Sequence, residues 1–382
     1  MADTLLHTAN FAVRWLKKYP PTPALVLAIG IGNGKPAFTL IPVYRKETYM
    51  KAVQIDKYSK EIHTQLRDIP VPTVGLDEVL VKVKAAAVNP LELLILTGSV
   101  RLIQDYPMPL TLGNELSGVV ETVGGNVKGF QRGDRVYARL PLGRIGAFAE
   151  YVAVDSSSLA RMPEGCDFDT AAAIPLTGLT AYQGLTEVLE AKPGSTLLIP
   201  GGSGSFGEMA VPIAIALGLR VIVTGNDRAR ERFLAAGVER YLDYRKENYW
   251  EQLSGMDYVI DTLGAAEFEC ELSVLREGGR LLSLRTGPNR EFALRNRYPA
   301  FKRMLFTAAG AKYDHAARRQ GKEYRFIFVH SDGKQLEAIT RIVESRHIVP
   351  AIDPHEFSIE EADEALKLVS NGRINGKVLI RM

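Results

Sequence analysis

Cysteine is nearly absent from this chain, with Cys166 and Cys270 alone among 382 residues. A disulfide framework and a cysteine-rich zinc lobe are therefore excluded, and so few thiols fit a reducing compartment, which makes the cytoplasm the expected location. Histidine is sparse as well: His7, His63, His315, His330, His347 and His355 show no metal-ligand spacing. Long hydrophobic runs are missing. The longest near the N-terminus, Ala24 to Ile31, is far too short to span a bilayer and is ended by Gly32, Asn33, Gly34 and Lys35, so no transmembrane helix is expected. Net charge is only +3, which points neither to nucleic acid nor to an acidic substrate for the chain as a whole.

Charge is nevertheless unevenly spread. The first 49 residues carry six Lys/Arg against Asp3 and Glu47, and Phe292 to Arg325 carry nine against two acids. In the first segment Leu5, Leu6, Ala9, Ala12, Val13 and Leu16 fall on one helical face, with Arg14, Lys17 and Lys18 near its end and Pro20, Pro21 and Pro23 stopping it. Three readings stand for it: an extension without chemical role, an organelle transit peptide, or a membrane-surface helix. A complete strand-rich beginning reads from Met50 onward.

From Met50 to about Val154 short strands alternate with Gly- and Pro-rich turns, the pattern of a twisted β domain. From about Ala171 helix and strand alternate instead, through "STLLIP", "RVIVTG", "YVIDTLG" and "GRLLSL". Such βαβ repetition implies a doubly wound parallel sheet with its ligand at the carboxyl ends of the strands. The fold class is therefore α/β.

At the first of those strand ends stands "IPGGSGSFGEMA", in which Gly202, Gly204 and Gly207 read G-x-G-x-x-G between a strand and a helix. In that context the glycines allow a tight turn and close approach. The backbone N–H groups of Ser203, Gly204, Ser205, Phe206 and Gly207 face a pyrophosphate at the helix N-terminus. The next strand separates the cofactors, because binders of NAD place an acid at its end to hold the ribose 2′-hydroxyl. Here that position is Gly225, followed by Asn226, Asp227 and Arg228. A missing acid and an available Arg228 suit a 2′-phosphate, hence NADPH. Asp227 leaves a ribose contact open, and Arg228 also reads as a solvated helix-start residue.

The stretches "VKVKAAAVNPLE", "LTLGNELSGVVETVG", "GDRVYA", "GAFAEYVAV", "AAAIPLTGLTAYQGL", "GGSGSFG", "LDYRKENY", "VIDTLG" and "NGRINGKVLI" occur in this order. With them the chain from Met50 to its end resembles the medium-chain dehydrogenase/reductase superfamily, and within it the zinc-independent quinone oxidoreductase and enoyl reductase branch. The resemblance implies a GroES-like β-rich catalytic domain over 50–174 and 334–382. It also implies an inserted Rossmann nucleotide-binding domain over 175–333, with a basic insertion at about 292–323, leaving 1–49 as an extension.

Zinc-dependent members of the superfamily carry Cys where this chain has Asn89, and His within the triplet that reads here Gly113-Asn114-Glu115. The resemblance thus implies no zinc, and hydride transfer from NADPH to a small-molecule quinone or α,β-unsaturated carbonyl acceptor. It places Asn89 and Thr177 beside the nicotinamide and Tyr244 near the adenosine phosphates. As structural alternatives, Asn89 fixes a turn before Pro90 and Thr177 begins a helix. Some relatives carry a tyrosine where this chain has Leu94, so no side chain here is named as general acid; Tyr182 reads as a domain-interface residue. Solvent or a cofactor hydroxyl then supplies the proton.

The basic insertion has Phe301, Met304, Leu305 and Phe306 at helical spacing among its cations. It reads as a cap over the cleft, as a surface for membrane lipid or nucleic acid, or as a solvated helix. Beyond it "YRFIFV", Tyr324 to Val329, is expected to be an edge strand that pairs across a twofold axis into a homodimer. The competing reading of the whole is an NADPH-binding redox sensor or RNA-binding module with little turnover.

Overall fold

The computed structural model describes residues 25–32, 35–42, 48–372 and 374–382. The readings made for residues 5–23 lie outside the described residues. The chain divides into two units, Met1–Tyr49 and Met50–Met382. In the first, Leu25–Gly32 and Lys35–Pro42 pair as an antiparallel hairpin, with Leu25 opposite Pro42.

In the second unit a seven-stranded sheet is built around Glu78–Val88. That strand pairs antiparallel with Glu115–Val123, with Tyr151–Asp155 and with Val378–Arg381, close to the end of the chain. Central position on the sheet requires apolar side chains on both faces, and Val79, Val81, Val83, Ala85, Ala86, Ala87 and Val88 are all buried. Arg135–Arg139 and Leu159–Arg161 extend the sheet on one side, Phe357–Ser358 on the other. A three-stranded sheet of Gln65–Pro70, Tyr49–Ile55 and Leu110–Thr111 accompanies it.

The second large sheet is six-stranded, and all of its strands run parallel. In space the order is Arg240–Asp243, Arg220–Gly225, Thr196–Ile199, Met256–Asp261, Leu275–Ser283, Glu323–Phe326. Numbered along the chain this is 3-2-1-4-5-6, the doubly wound dinucleotide-binding order, in which connections leave the first and fourth strands in opposite directions and open a crevice between them. The expected α/β architecture of β-rich domain plus Rossmann sheet is what the chain adopts.

Local details refine the sequence pattern. The sequence from Asp169 to Leu189 has a helical pattern, which the structure breaks into Phe168–Ala172 and Pro175–Gln183, the latter continued by Gly184–Val188, because Pro175 has no N–H to continue a helix but suits a first helical position. The strand expected over Tyr324–Val329 stops at Phe326. The basic insertion folds as a short helix, Arg290–Arg295, and a long one, Ala300–Arg319. Among the described residues no helix is long and apolar enough to cross a membrane.

Candidate active site

Strand register assembles the first half of the site. Val378 lies opposite Val88 in the antiparallel ladder, so Lys377 and Asn89, one residue beyond on each strand, become neighbours. The Lys377 ammonium donates to Asn89 Oδ1 at 2.6 Å and stands 3.0 Å from Glu115 Oε1. Asn89 Nδ2 donates to the same Glu115 oxygen at 2.9 Å and to the Ala87 carbonyl at 3.3 Å. Glu115 Oε2 accepts from the Leu176 N–H at 2.6 Å, in the first turn of the helix that carries Thr177. All three polar side chains are buried. Glu115 thus ties Asn89, the chain end and the Thr177 helix together.

Asn89 is therefore spent within the protein. Its oxygen and both amide hydrogens have partners, as a buried amide requires. It also caps the helix Pro90–Leu96, where Glu92 Oε2 accepts from the Asn89 N–H at 2.7 Å. Thr177 is likewise back-bonded, its hydroxyl donating to the carbonyls of Ala173 at 3.2 Å and Ile174 at 3.4 Å. Leu94 is exposed on the same short helix as Glu92.

Beneath Asn89 lies a set of buried groups that the sequence did not single out. Glu92 Oε1 accepts from the N–H and Nδ2 of Asn114 at 3.0 and 2.7 Å. Burial pushes its carboxyl up to about 7 against these bonds. Arg139, opposite Glu115 in the sheet, is fully buried. Its guanidinium donates to the Leu140 carbonyl but leaves Nε and Nη2 without partners, and burial pulls it down to about 10. The signal for Glu92 was the N-x-x-E spacing from Asn89 to Glu92, a capping-box pattern. Lys377 had only its place in the quoted "NGKVLI" stretch.

The glycine loop forms the second half. It leaves the end of Thr196–Ile199 and enters the helix Ser205–Ala216, with Gly204 as N-cap. A Cβ on Gly207 would lie 1.8 Å from the Gly202 carbonyl oxygen, so this position is closed by the loop itself. A Cβ on Gly204 would meet only the Gly201 oxygen at 3.8 Å and otherwise points into open space. One position is closed by packing and the other is open, an arrangement a pyrophosphate cradle requires. Phe206 packs partly buried against the core beside this helix.

At the neighbouring strand end Gly225 is buried, and a Cβ there would stand 2.1 Å from the Tyr241 hydroxyl and 2.6 Å from Ser203 Cβ. No acid fits at that position. Asn226 bridges to the glycine loop, its N–H and Nδ2 each 3.4 Å from Ser203 Oγ. Asp227 is held by Arg230 at 3.0 Å and Lys246 at 3.4 Å, and hydrogen bonds from both keep its carboxyl below the usual range. Arg228 is exposed and free of ion pairs. Tyr244 follows the strand Arg240–Asp243, with its N–H on the Gly225 carbonyl at 3.2 Å and its ring exposed. The helix Pro175–Gln183 packs against Ser205–Ala216, which joins the two halves.

The family described as the alcohol dehydrogenase GroES-like domain matches residues 75–164, and that described as zinc-binding dehydrogenase matches 236–380. A 2-methylene-furan-3-one reductase of Solanum lycopersicum is 31% identical over 322 residues, spanning 82% of this chain and 74% of its own. The chain belongs to the medium-chain dehydrogenase/reductase superfamily. The mitochondrial NAD(P)H oxidoreductase RTN4IP1 of Mus musculus shares 30% identity with this dehydrogenase/reductase, covering 88% of it and 90% of the relative. Among solved structures, the quinone oxidoreductase from Coxiella burnetii superposes with a TM-score of 0.72 at 25% identity, covering 88% of this chain and all of its own. Membership makes the chain an oxidoreductase. Although one matched family is named for zinc, the donor set here does not fit that ion: the two positions hold the amides of Asn89 and Asn114, and a lysine ammonium already occupies Asn89 Oδ1. Among the described residues no three His, Cys, Asp or Glu side chains are grouped to hold a metal.

Proposed function

We propose that this dehydrogenase/reductase is an NADPH-dependent, zinc-independent reductase of quinones or α,β-unsaturated carbonyl compounds. The observation that carries the reading is the strand end beside the glycine loop. Gly225 has no room for the acid that would select a ribose hydroxyl, Asp227 is engaged by Arg230 and Lys246, and Arg228 stands free. A site of this kind favours a phosphate over a hydroxyl.

The N–H groups from Ser203 to Gly207 bind the pyrophosphate, Gly204 gives it access, and Asn226 holds the loop to the strand end. Arg228 takes the 2′-phosphate and Tyr244 offers its ring to the adenosine side. The bound cofactor supplies a hydride. Asn89 and Thr177 position the nicotinamide side by shape, since their polar atoms are already paired. Hydride goes to the acceptor's carbon or quinone oxygen, and the balancing proton comes from solvent or a cofactor hydroxyl. Assembly into a homodimer through the edge strand Glu323–Phe326 belongs to the same reading.

Titration calorimetry with NADPH and with NADH tests the cofactor assignment. NADPH binding at least tenfold tighter supports it; equal affinity, or preference for NADH, sinks it.

A further inference from the structure

The helix Ala300–Arg319 is about 30 Å long at 1.5 Å per residue, yet only Phe306, Gly310 and Ala317 of its residues are buried. These three, with half-buried Tyr313 packed against Phe268 and Tyr324, hold it to the protein. Phe306 packs edge-on against Phe292 and Tyr298 at ring separations of 5.6 and 5.1 Å, and Gly310 passes so close to Asn289 that a Cβ would stand 2.4 Å from its side chain. The opposite face is left bare. Phe301, Met304 and Leu305 are 59%, 69% and 44% exposed. At i, i+3 and i+4 they form one stripe, which continues through exposed Ala308 and Ala311. Large apolar side chains clustered in this way mark an interaction site and not ordinary surface.

The surroundings of the stripe name the partner's chemistry. Arg297, Lys302, Arg303, Lys312, Arg318 and Arg319 have no ion pair. The nearby acids are already engaged: Glu291 by Arg295 and Arg325, Glu323 by Arg280 and Arg325, and Asp314 by Asn289 Nδ2 at 2.7 Å. An apolar stripe rimmed by unpaired cations matches a surface that offers negative charge outside and hydrocarbon beneath. A second copy is a poor match, because a twofold contact would set this basic rim against itself. Nucleic acid would answer the cations but leave the apolar stripe without a use.

We propose that the outward face of this helix docks on an anionic phospholipid surface, with Phe301, Met304 and Leu305 at the headgroup–acyl boundary and the flanking cations on the headgroups. Nothing in the reductase site is needed for this.

Co-sedimentation of the full chain with vesicles tests it, using pure phosphatidylcholine and an equimolar mixture with phosphatidylserine. The expected result is binding to the mixed vesicles only, weakened by high salt. The variants Lys312→Glu/Arg319→Glu and Phe301→Ser/Met304→Ser/Leu305→Ser should each lose roughly tenfold or more in partitioning while melting at the wild-type temperature. The proposal is overturned if the wild type ignores anionic vesicles, or if both variants bind like the wild type, which would place lipid binding elsewhere in the chain. It is equally overturned if light scattering shows that the serine variant splits a wild-type dimer, or if the same variants lose RNA binding and no vesicle binding exists to lose.

Discussion

Replacing Lys377 with methionine keeps most of the apolar stem of the side chain and removes its ammonium from the node that holds the candidate active site. Two groups then lose their partner in a place water does not reach. The Glu115 carboxylate, fully buried, keeps the neutral donors Asn89 Nδ2 and Leu176 N–H but loses its ion-pair partner. Asn89 Oδ1 keeps no donor. An orphaned buried acceptor costs about 1–3 kcal/mol, and breaking a buried ion pair from one side costs about 3–5 kcal/mol in all. We therefore expect Lys377→Met to lose about 3–5 kcal/mol by urea unfolding. The double variant Lys377→Met/Glu115→Gln, which removes both members of the ion pair, should be more stable than Lys377→Met alone. A single-variant loss below about 1 kcal/mol, or simple additivity of the two substitutions, would refute the node as an energetic unit.

Other perturbations follow from the same geometry. Gly204→Val should abolish NADPH binding with little change in stability, because its Cβ meets open space at an ordinary extended backbone conformation; unchanged affinity would make the loop a turn only. Arg228→Ala should weaken NADPH by roughly 1–3 kcal/mol and leave NADH unaffected, and equal losses in calorimetry would remove it from the 2′-phosphate site. Glu271 is buried without a hydrogen-bond partner, and burial, reinforced by the charges of Asp261 and Glu267, pushes its carboxyl up to about 10. The folded state keeps a proton that the unfolded chain releases above its ordinary value of 4.5, so this group's contribution is complete at low pH and is lost as pH rises towards 10. Relative to Glu271→Gln, the wild type should lose stability as pH rises through this window, by up to about 1.4 kcal/mol per pH unit; parallel profiles would contradict the assignment.

The parts of this molecule written in short stretches were the legible ones. The glycine loop sits within a dozen residues between strand and helix, and the parallel strands announce themselves as compact apolar runs. Arg240–Asp243 was not legible as a strand, since its four residues include two charges and only Leu242 and Asp243 fall in the stretch "LDYRKENY". What escaped were contacts made by register and by crossing between elements. Lys377 meets Asn89 across 288 positions because Val378 pairs with Val88, and no local pattern carries that. The state of Asp227 likewise depends on Lys246 in a different loop. Asn89 and Thr177 could be assigned to the site through the family resemblance, but that their polar atoms are already used became visible only once Glu115 and the helix carbonyls were in place.

The central claim is metal-free reduction by NADPH, and turnover tests it most directly. Purified protein would be assayed for NADPH and NADH oxidation across quinones, conjugated enones and simple aldehydes, with and without a strong chelator. The account predicts oxidation of NADPH with quinones or enones, unchanged by the chelator. Turnover abolished by the chelator and restored by zinc, or no turnover with any acceptor despite measurable NADPH binding, would contradict it.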